Sequence, residues 1–162
     1  MTRLSEAGRE GRIALLNVSP GGVPKRAIAH ADVGEMGLAG DAVANLRVHG
    51  GPQRAVCLYA MERILALQRE GNPVFPGALG ENVTTAGLDW DLVVPGARLV
   101  SGDVELVVTK YAVPCDVTSI FTHGDLKCYS QKARPGWSRV YARVATPGRL
   151  TAGDAIRIVA TT

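Results

Sequence analysis

The sequence predicts a mostly β, barrel-like domain with a few short helices, α+β by content. Short apolar runs, several of them alternating with polar residues, recur from "RIALLNV" to "DAIRIVA" and are typical of strands. A single run, "MERILALQREG", follows helical spacing, with Met61, Ile64, Leu65 and the stem of Gln68 on its apolar face. The 19 glycines and 9 prolines provide the many turns between such elements. Roughly seven or eight short strands with one solid helix favour a barrel.

The N-terminal half is predicted to contain two strands and the helix. Residues 12–18 form the first strand, and the "SPGGVPKRA" segment after it is a loop because Gly-Gly and two prolines exclude regular structure. "RAVCLYA" forms the second strand and runs directly into the helix. Gly71 ends this helix, and Pro73 lies just beyond it.

The C-terminal half is predicted to return to strands. "PGALGENVTTAGLDW" is a loop with a short extended piece, and residues 97–113 form two strands joined by a turn at residues 101–103. A short helix is expected over residues 115–121, and a helical turn or a loop over residues 124–137. The alternation in "SRVYARVAT" and "DAIRIVA" predicts the final strands.

The length and the N-terminus indicate one domain. With 162 residues the chain can close one apolar core, so residues 1–11 are expected to be a flexible tail and residues 12–162 a single domain. The first dozen residues have no apolar stretch of the kind that a signal peptide needs, and no segment approaches a membrane span. We therefore expect a cytoplasmic protein that does not contact membranes.

The charged residues do not indicate a nucleic-acid partner. A net charge of +3 is too small for that, although residues 127–157 contain seven basic side chains and one acidic side chain, Asp154. Two interpretations stay open for this region. The basic side chains form a solvated face on alternating strands, or some of them line a pocket for an anionic ligand.

Two glycine-containing segments are candidates for ligand binding. "NVSPGGVPK" ends in Lys25 and could surround an anion with backbone N–H groups and one cation, although a surface turn explains it equally simply. In "GDAVANLRVHGGPQRAV", His49 precedes Gly50 and Gly51, which let the backbone approach a ligand, and Arg54 follows. A donor-rich corner and a structural histidine are both consistent with this pattern.

A third segment, "GALGENVTT", places a glutamate and an amide after a glycine that permits a sharp turn. Glu81 is a candidate general acid or base, or a cap for neighbouring N–H groups. The residue pattern does not decide between these two roles.

The fourth segment, "TKYAVPCDV", contains the candidate thiol. Nucleophilic attack and metal ligation both need a thiolate, and Lys110 or the start of the helix expected after Pro114 would lower the pKa of Cys115. Cys57, within "AVCLY", is interpreted as a small buried apolar residue, and Cys128 as part of a polar loop. The three cysteines contain no CxxC pair, so they indicate neither a disulfide framework nor a structural zinc site. An inert, buried Cys115 is the alternative.

In this order the four segments resemble the MOSC domain, the module named after the C-terminal domain of molybdenum cofactor sulfurases. The pieces that carry the resemblance run from about residue 12 to residue 159 and include "GLAGDAVANLRVHGGPQRAVCLY", "FPGALGENVTTAGL", "AVPCDV" and "ARPGWSRVYARVATPGRLTAGDAIRI". The resemblance implies a MOSC-type β-barrel and a pocket that binds molybdenum cofactor (molybdopterin). It also implies that Cys115 ligates molybdenum or handles sulfur. The residues on the family's motif segments would line this pocket: His49, Gly50, Gly51, Arg54, Gly80, Glu81, Asn82 and Thr84. Lys25 and Lys110 are added as possible contacts to the cofactor's phosphate.

The resemblance also implies partners. Stand-alone relatives that reduce N-hydroxylated bases continue into a helical extension beyond the barrel, and in sulfurases the pyridoxal-phosphate desulfurase is a separate N-terminal domain. This chain resembles neither part, so an electron-donor reductase or a cysteine desulfurase would be a separate protein. Three functions remain: molybdenum-dependent reduction of a small N-hydroxylated substrate, transfer of a persulfide sulfur carried on Cys115, and binding of an anionic small molecule with Cys115 inert.

Overall fold

The computed structural model describes residues 7–42 and 50–159. Within these ranges the chain forms one α-helix, α1 (Met61–Arg69), and eleven strands. The strands are β1 (Glu10–Val18), β2 (Arg26–Ile28), β3 (His30–Gly34), β4 (Gly37–Leu38), β5 (Val56–Ala60), β6 (Val83–Ala86), β7 (Arg98–Ser101), β8 (Val104–Tyr111), β9 (Val140–Thr146), β10 (Gly148–Thr151) and β11 (Ala155–Val159). Short 3-10 helices cover Pro52–Arg54, Trp90–Leu92, Asp116–Phe121 and Leu126–Tyr129.

Seven of the strands close into a barrel, in the order β1, β11, β7, β8, β9, β5 and β6, with β6 pairing back onto β1. Strands β5 and β6 are parallel, and the other neighbours in the ring are antiparallel. A parallel pair needs a crossover connection, and α1 provides it, beginning directly after β5. The prediction of a mostly β, barrel-like fold is confirmed.

The barrel interior is filled by apolar side chains from nearly every strand of the ring. Fully buried examples are Ile13, Leu58, Leu99, Leu106, Val140 and Ile156. The alternation predicted for β8 is present, because Val104, Leu106 and Val108 are buried. Each such side chain contributes about 1.5–3 kcal/mol through burial, so the ring provides a rigid frame for the loops at its ends.

The predicted helix is present, but its buried face differs from the expected one. Ile64 and Leu67, three residues apart, are buried, whereas Leu65 is 43% exposed. The helix ends at Arg69, and Gly71 has a φ of 97°, in the left-handed region that suits a glycine after a helix. In the part of the chain that the structure describes, no helix is long and apolar enough to cross a membrane.

Several short elements were not predicted. Strands β3, β4 and β10 form a separate three-stranded sheet, and β2 lies beside β1 outside the ring. The helix expected over residues 115–121 is a 3-10 helix that begins after Cys115. Of the helical turn and the loop left open for residues 124–137, the structure has a 3-10 helix over Leu126–Tyr129, and Cys128 is buried in it and not part of a polar loop. Strand β1 begins at Glu10, two residues before the predicted start.

Candidate functional site

The Gly-Glu-Asn segment lies inside the protein at the start of β6. Asn82 is buried, and its Oδ1 accepts a hydrogen bond from the N–H of Cys57 at 3.0 Å. Its Nδ2 donates to the carbonyl of Asn17 at 3.2 Å. Because Cys57 lies on β5 and Asn17 on β1, Asn82 joins the two strands that flank β6. This amide therefore fixes the position of the segment in the barrel.

Lys25 is buried against an acidic residue. Its Nζ lies 2.7 Å from Oδ1 of Asp41, and the two side chains are 8% and 10% exposed. Asp41 also accepts hydrogen bonds from the N–H of Ser19 at 3.0 Å and from Nδ2 of Asn82 at 2.8 Å. The cation that was expected to contact a phosphate is thus already balanced by a carboxylate of the same chain.

Glu81 is fully buried, and one of its oxygens acts as a cap. Oε1 accepts hydrogen bonds from the N–H of Gly77 and from the hydroxyl of Thr84, the latter at 3.5 Å. Oε2 has no hydrogen-bond partner among the described residues. Burial raises the pKa of Glu81 to about 7, although the Gly77 N–H opposes this shift. Of the two roles that the sequence left open, capping is observed directly, and the raised pKa is compatible with proton transfer.

Arg139, at the start of β9, connects two loops of the site. It is 3% exposed, and its Nη1 donates to the carbonyl of Leu79 at 2.6 Å while Nη2 donates to the carbonyl of Val113 at 3.1 Å. Its Nε has no partner among the described residues. A Cβ on Gly80 would lie 3.9 Å from Nη1, so the absence of a side chain there leaves space beside the guanidinium. Arg139 therefore joins the Gly-Glu-Asn loop to the segment that precedes Cys115.

Cys115 lies at the edge of this region. Its side chain is partly exposed, and it precedes the first residue of the 3-10 helix Asp116–Phe121. The carbonyl of Cys115 accepts hydrogen bonds from the N–H and the hydroxyl of Thr118 at 3.0 and 2.7 Å. The thiol is consequently accessible while its backbone is held in place.

Tyr141 is a buried tyrosine whose pKa is influenced by residues from several of the predicted site segments. It is buried on β9 opposite Cys57 of β5. Burial raises the pKa of Tyr141, Cys57 and Cys115 add to this rise, and Arg139 and Arg54 oppose it. Cys115, Arg54 and Arg139 therefore all influence the ionisation of this one tyrosine.

The other two cysteines differ from Cys115 in being buried. Burial raises the pKa of the Cys57 thiol to about 11, as expected for a small apolar core residue. Burial also raises the pKa of Cys128 to about 11, and its Sγ donates to the carbonyl of Asp125 at 3.2 Å. Neither thiol is placed to react at the surface.

The remaining predicted site residues are three glycines, Lys110 and His49, and they do not all lie at the site. Gly50, Gly51 and Gly80 have φ values of 84°, 82° and 89°, a conformation that L side chains rarely adopt. Lys110 is exposed on β8, and His49 lies outside the described residues. The structure therefore gathers Arg54, Glu81, Asn82, Thr84 and Cys115 at one end of the barrel, with Lys110 on the outside.

Several basic residues between 127 and 157 have partners away from the site. Arg134 lies 2.6 Å from Glu70 and stacks on Trp137 at 3.4 Å from the ring centroid, and Arg149 lies 3.1 Å from Asp32. Arg139 is the member of this group that reaches the site. Sequence reasoning did not single it out, although the shared face of Arg139 and Tyr141 on one strand was a usable signal.

A concavity of 260 Å³ lies elsewhere, lined by residues that include Trp90, Asp91 and Gln131. None of the predicted site residues lines it. The candidate site is the convergence of side chains described above and not this concavity, because the residues that line the concavity include no cysteine and no basic residue.

The arrangement can bind a soft metal or carry sulfur, and it can contact an anion. A partly exposed thiol near guanidinium groups is suited to thiolate chemistry, and the unpartnered Nε of Arg139 is a buried donor. Among the described residues, no group of three or more His, Cys, Asp and Glu side chains could hold a metal ion. A metal at Cys115 would need ligands that arrive with it, as those of a cofactor do.

Comparison with known proteins gives a consistent result. A family model described as the MOSC domain matches residues 45–157. Protein YiiM of Escherichia coli is 33% identical over 137 residues, which cover 77% of this chain and 57% of YiiM. Protein YflK of Bacillus subtilis is 30% identical over 121 residues, 74% of this chain and 54% of YflK. The chain thus spans little more than half the length of either relative. The crystal structure of YiiM from Geobacillus stearothermophilus superposes with a TM-score of 0.74 at 26% identity, covering 93% of this chain and 75% of that one.

Proposed function

Because the chain belongs to the MOSC domain family, we propose that it binds molybdenum cofactor with Cys115 as the ligand that the protein provides to the metal. We propose further that it takes part in the molybdenum-dependent reduction of small N-hydroxylated compounds. The observation that carries the proposal is that Cys115 is the one cysteine of three that is not buried, and that the buried Arg139 donates a hydrogen bond to the carbonyl of Val113, two residues before it.

The residues present fit such a cofactor. A thiolate is a soft ligand that suits a soft or sulfur-rich metal centre better than a carboxylate does. Arg139 has a buried Nε without a partner among the described residues, and Arg54 is a second basic residue of the predicted site. Both would hold the anionic parts of the cofactor. The bound molybdenum centre would supply the electron pair that the reduction requires.

Protons are the second requirement of this reaction. Breaking the N–O bond of a hydroxylamine takes up two electrons and two protons and releases water. Glu81 is the described carboxyl group of the site whose pKa is raised to about 7, so it can hold a proton near neutral pH. Its Oε2, which has no partner among the described residues, is the oxygen available for that proton.

A reductive function needs an electron donor, which we propose is a separate reductase. All three cysteines are unpaired, and this suits a reducing compartment. We therefore place the reaction in the cytoplasm.

The test is expression in a host that makes molybdenum cofactor, followed by measurement of molybdenum, pterin and thiol-bound sulfur. The wild type is compared with Cys115→Ser and with Cys128→Ser, which removes a buried thiol as a matched control. Stoichiometric molybdenum in the wild type and in Cys128→Ser, with loss in Cys115→Ser, is the expected result. Equal molybdenum in all three proteins, or none in the wild type, would contradict the proposal.

The second candidate is a sulfur carrier that holds a persulfide on Cys115 for cofactor or metal-sulfur cluster assembly. It is favoured by the accessibility of a single thiol, because a persulfide needs no other protein ligand. A separate cysteine desulfurase would supply the sulfur. Persulfide on Cys115 without molybdenum, in the same preparation, would select this candidate.

A further inference from the structure

Buried side chains hold the backbone on both sides of Pro114. The hydroxyl of Thr118 donates to the carbonyl of Cys115 at 2.7 Å, and the backbone N–H of Thr118 donates to the same oxygen at 3.0 Å. Nη2 of Arg139 donates to the carbonyl of Val113 at 3.1 Å. Thr118 is 1% exposed and Arg139 is 3% exposed. The peptide groups that flank the thiol are therefore fixed by groups that water does not reach.

Tyr129 connects the two side chains that hold this backbone. It is fully buried, and its hydroxyl is hydrogen-bonded to the hydroxyl of Thr118. The guanidinium carbon of Arg139 lies 5.1 Å from the centre of the Tyr129 ring, within the range of a cation-π contact. One residue thus contacts the groups on both sides of the thiol.

Apolar packing holds the far end of this segment but not the residues next to Cys115. Phe121, the last residue of the 3-10 helix, packs against the core and against Phe75. Val113, Val117 and Ile120 are 75%, 60% and 73% exposed, so these three apolar side chains lie mainly in water. Beside the thiol, the polar contacts made from inside are therefore the interactions that hold the backbone.

We infer that Tyr129 and Thr118 are positioning residues for Cys115: the tyrosine hydroxyl fixes the threonine hydroxyl, which fixes the backbone that carries the thiol. The inference rests on the proposed function in one respect, namely that Cys115 is the working thiol. Neither residue belongs to the motif segments of the site. They act through Cys115 rather than through contact with a substrate or cofactor.

The test measures the rate of alkylation of Cys115 by iodoacetamide at several pH values, with the labelled cysteine identified by peptide mass spectrometry. Tyr129→Phe removes the hydroxyl and keeps the ring, and Thr118→Val removes the hydroxyl and keeps the shape. Both are expected to raise the rate by about three- to tenfold, because a backbone that has lost a hydrogen bond opens more often. Thr118→Ser retains a hydroxyl and should restore a rate close to that of the wild type.

Thr122 provides a matched control in the same part of the chain. It is 1% exposed, and its Oγ1 has no hydrogen-bond partner among the described residues. Thr122→Val should therefore leave the alkylation rate of Cys115 unchanged. Unchanged rates in Tyr129→Phe and Thr118→Val, or an equal increase in Thr122→Val, would overturn the inference. If Tyr129→Phe does not fold, the comparison of Thr118→Val with Thr118→Ser decides.

The experiment is done on the chain without cofactor, which separates the two proposals. Absence of molybdenum from the wild type would refute the proposed function and leave the alkylation rates to be judged independently. Normal molybdenum binding together with unchanged alkylation rates would leave the proposed function intact and refute the positioning role.

Discussion

The ammonium group of Lys25 and the carboxylate of Asp41 lie 2.7 Å apart in a place where both side chains are almost completely buried. The two partners are not equivalent. Asp41 retains hydrogen bonds from Ser19 and Asn82 if the lysine is removed, whereas Lys25 has no other side-chain partner among the described residues if the carboxylate is removed. The pair therefore holds the glycine-rich loop of Lys25 against the segment that follows β4, and Asp41 connects both to Asn82 of the Gly-Glu-Asn loop.

This asymmetry predicts unequal effects of substitution. Asp41→Asn leaves a buried ammonium uncompensated and should lower the free energy of unfolding by about 3–5 kcal/mol, whereas Lys25→Met should lower it less. Urea denaturation measures both values. Asp32→Asn, in an exposed pair with Arg149, is the control and should change stability by no more than about 1 kcal/mol. A larger loss in Lys25→Met than in Asp41→Asn would contradict this account.

The parts of the fold that could be predicted are those with a local signal. Strands β8, β9 and β11 have alternating apolar residues, and α1 has a helical period with a glycine just after it. The small sheet has no such signal. Strand β3, "HADVG", buries only Ala31 and Val33, and β10 pairs with it from more than a hundred residues away. Such short strands are specified by their partners and not by their own sequence.

The same limit applies to the site. Local motifs identified Glu81, Asn82 and Cys115, because a glycine that permits a sharp turn precedes the first two and a proline at an expected helix start precedes the third. Arg139 and Tyr129 were not identified, because an arginine in a strand and a tyrosine in a polar stretch are usually exposed or simply packed. Only the closure of the barrel places both of them behind the thiol.

The raised pKa of Glu81 predicts a specific dependence of stability on pH. The pKa of Glu81 is about 7 in the folded protein, whereas its ordinary value, which applies to the unfolded chain, is 4.5. Between pH 4.5 and about 7 the folded state therefore binds a proton that the unfolded state does not bind. The contribution of Glu81 to stability is therefore fully present below about pH 4.5 and is lost as the pH rises to about 7, a change of up to about 3 kcal/mol.

Glu81→Gln should remove this dependence, since an amide cannot titrate but can still accept the hydrogen bond from Gly77. Urea denaturation at several pH values should show the wild type losing stability relative to Glu81→Gln as the pH rises through this window. Glu35→Gln, at an exposed glutamate, should run parallel to the wild type. Parallel pH profiles for the wild type and Glu81→Gln would show that Glu81 is ionised throughout.

Gly77, whose N–H donates a hydrogen bond to Glu81, cannot accept a side chain without a steric clash. Gly77 has a φ of 90°, and a Cβ at this position would overlap the carbonyl oxygen of Lys25. Gly77→Ala should therefore lower the free energy of unfolding by more than the about 1–2 kcal/mol that one left-handed residue costs. Gly153→Ala is the control, because Gly153 has a φ of 95° but nothing lies within 4 Å of its Cβ position. Equal thermal stabilities of the two variants would remove the steric argument.

Arg139 donates to two carbonyl groups on different loops, and this requires a forked donor such as a guanidinium group. Arg139→Lys keeps the charge but cannot reach the carbonyls of Leu79 and Val113 together in the same geometry. We expect a loss of about 1.5–3 kcal/mol in the free energy of unfolding for the lost charged hydrogen bond. We also expect a lower molybdenum content after expression in a host that makes the cofactor. Arg143→Lys, on the same strand, should match the wild type in both measurements. If Arg139→Lys also matches the wild type, the two loops are held together by packing and not by the guanidinium.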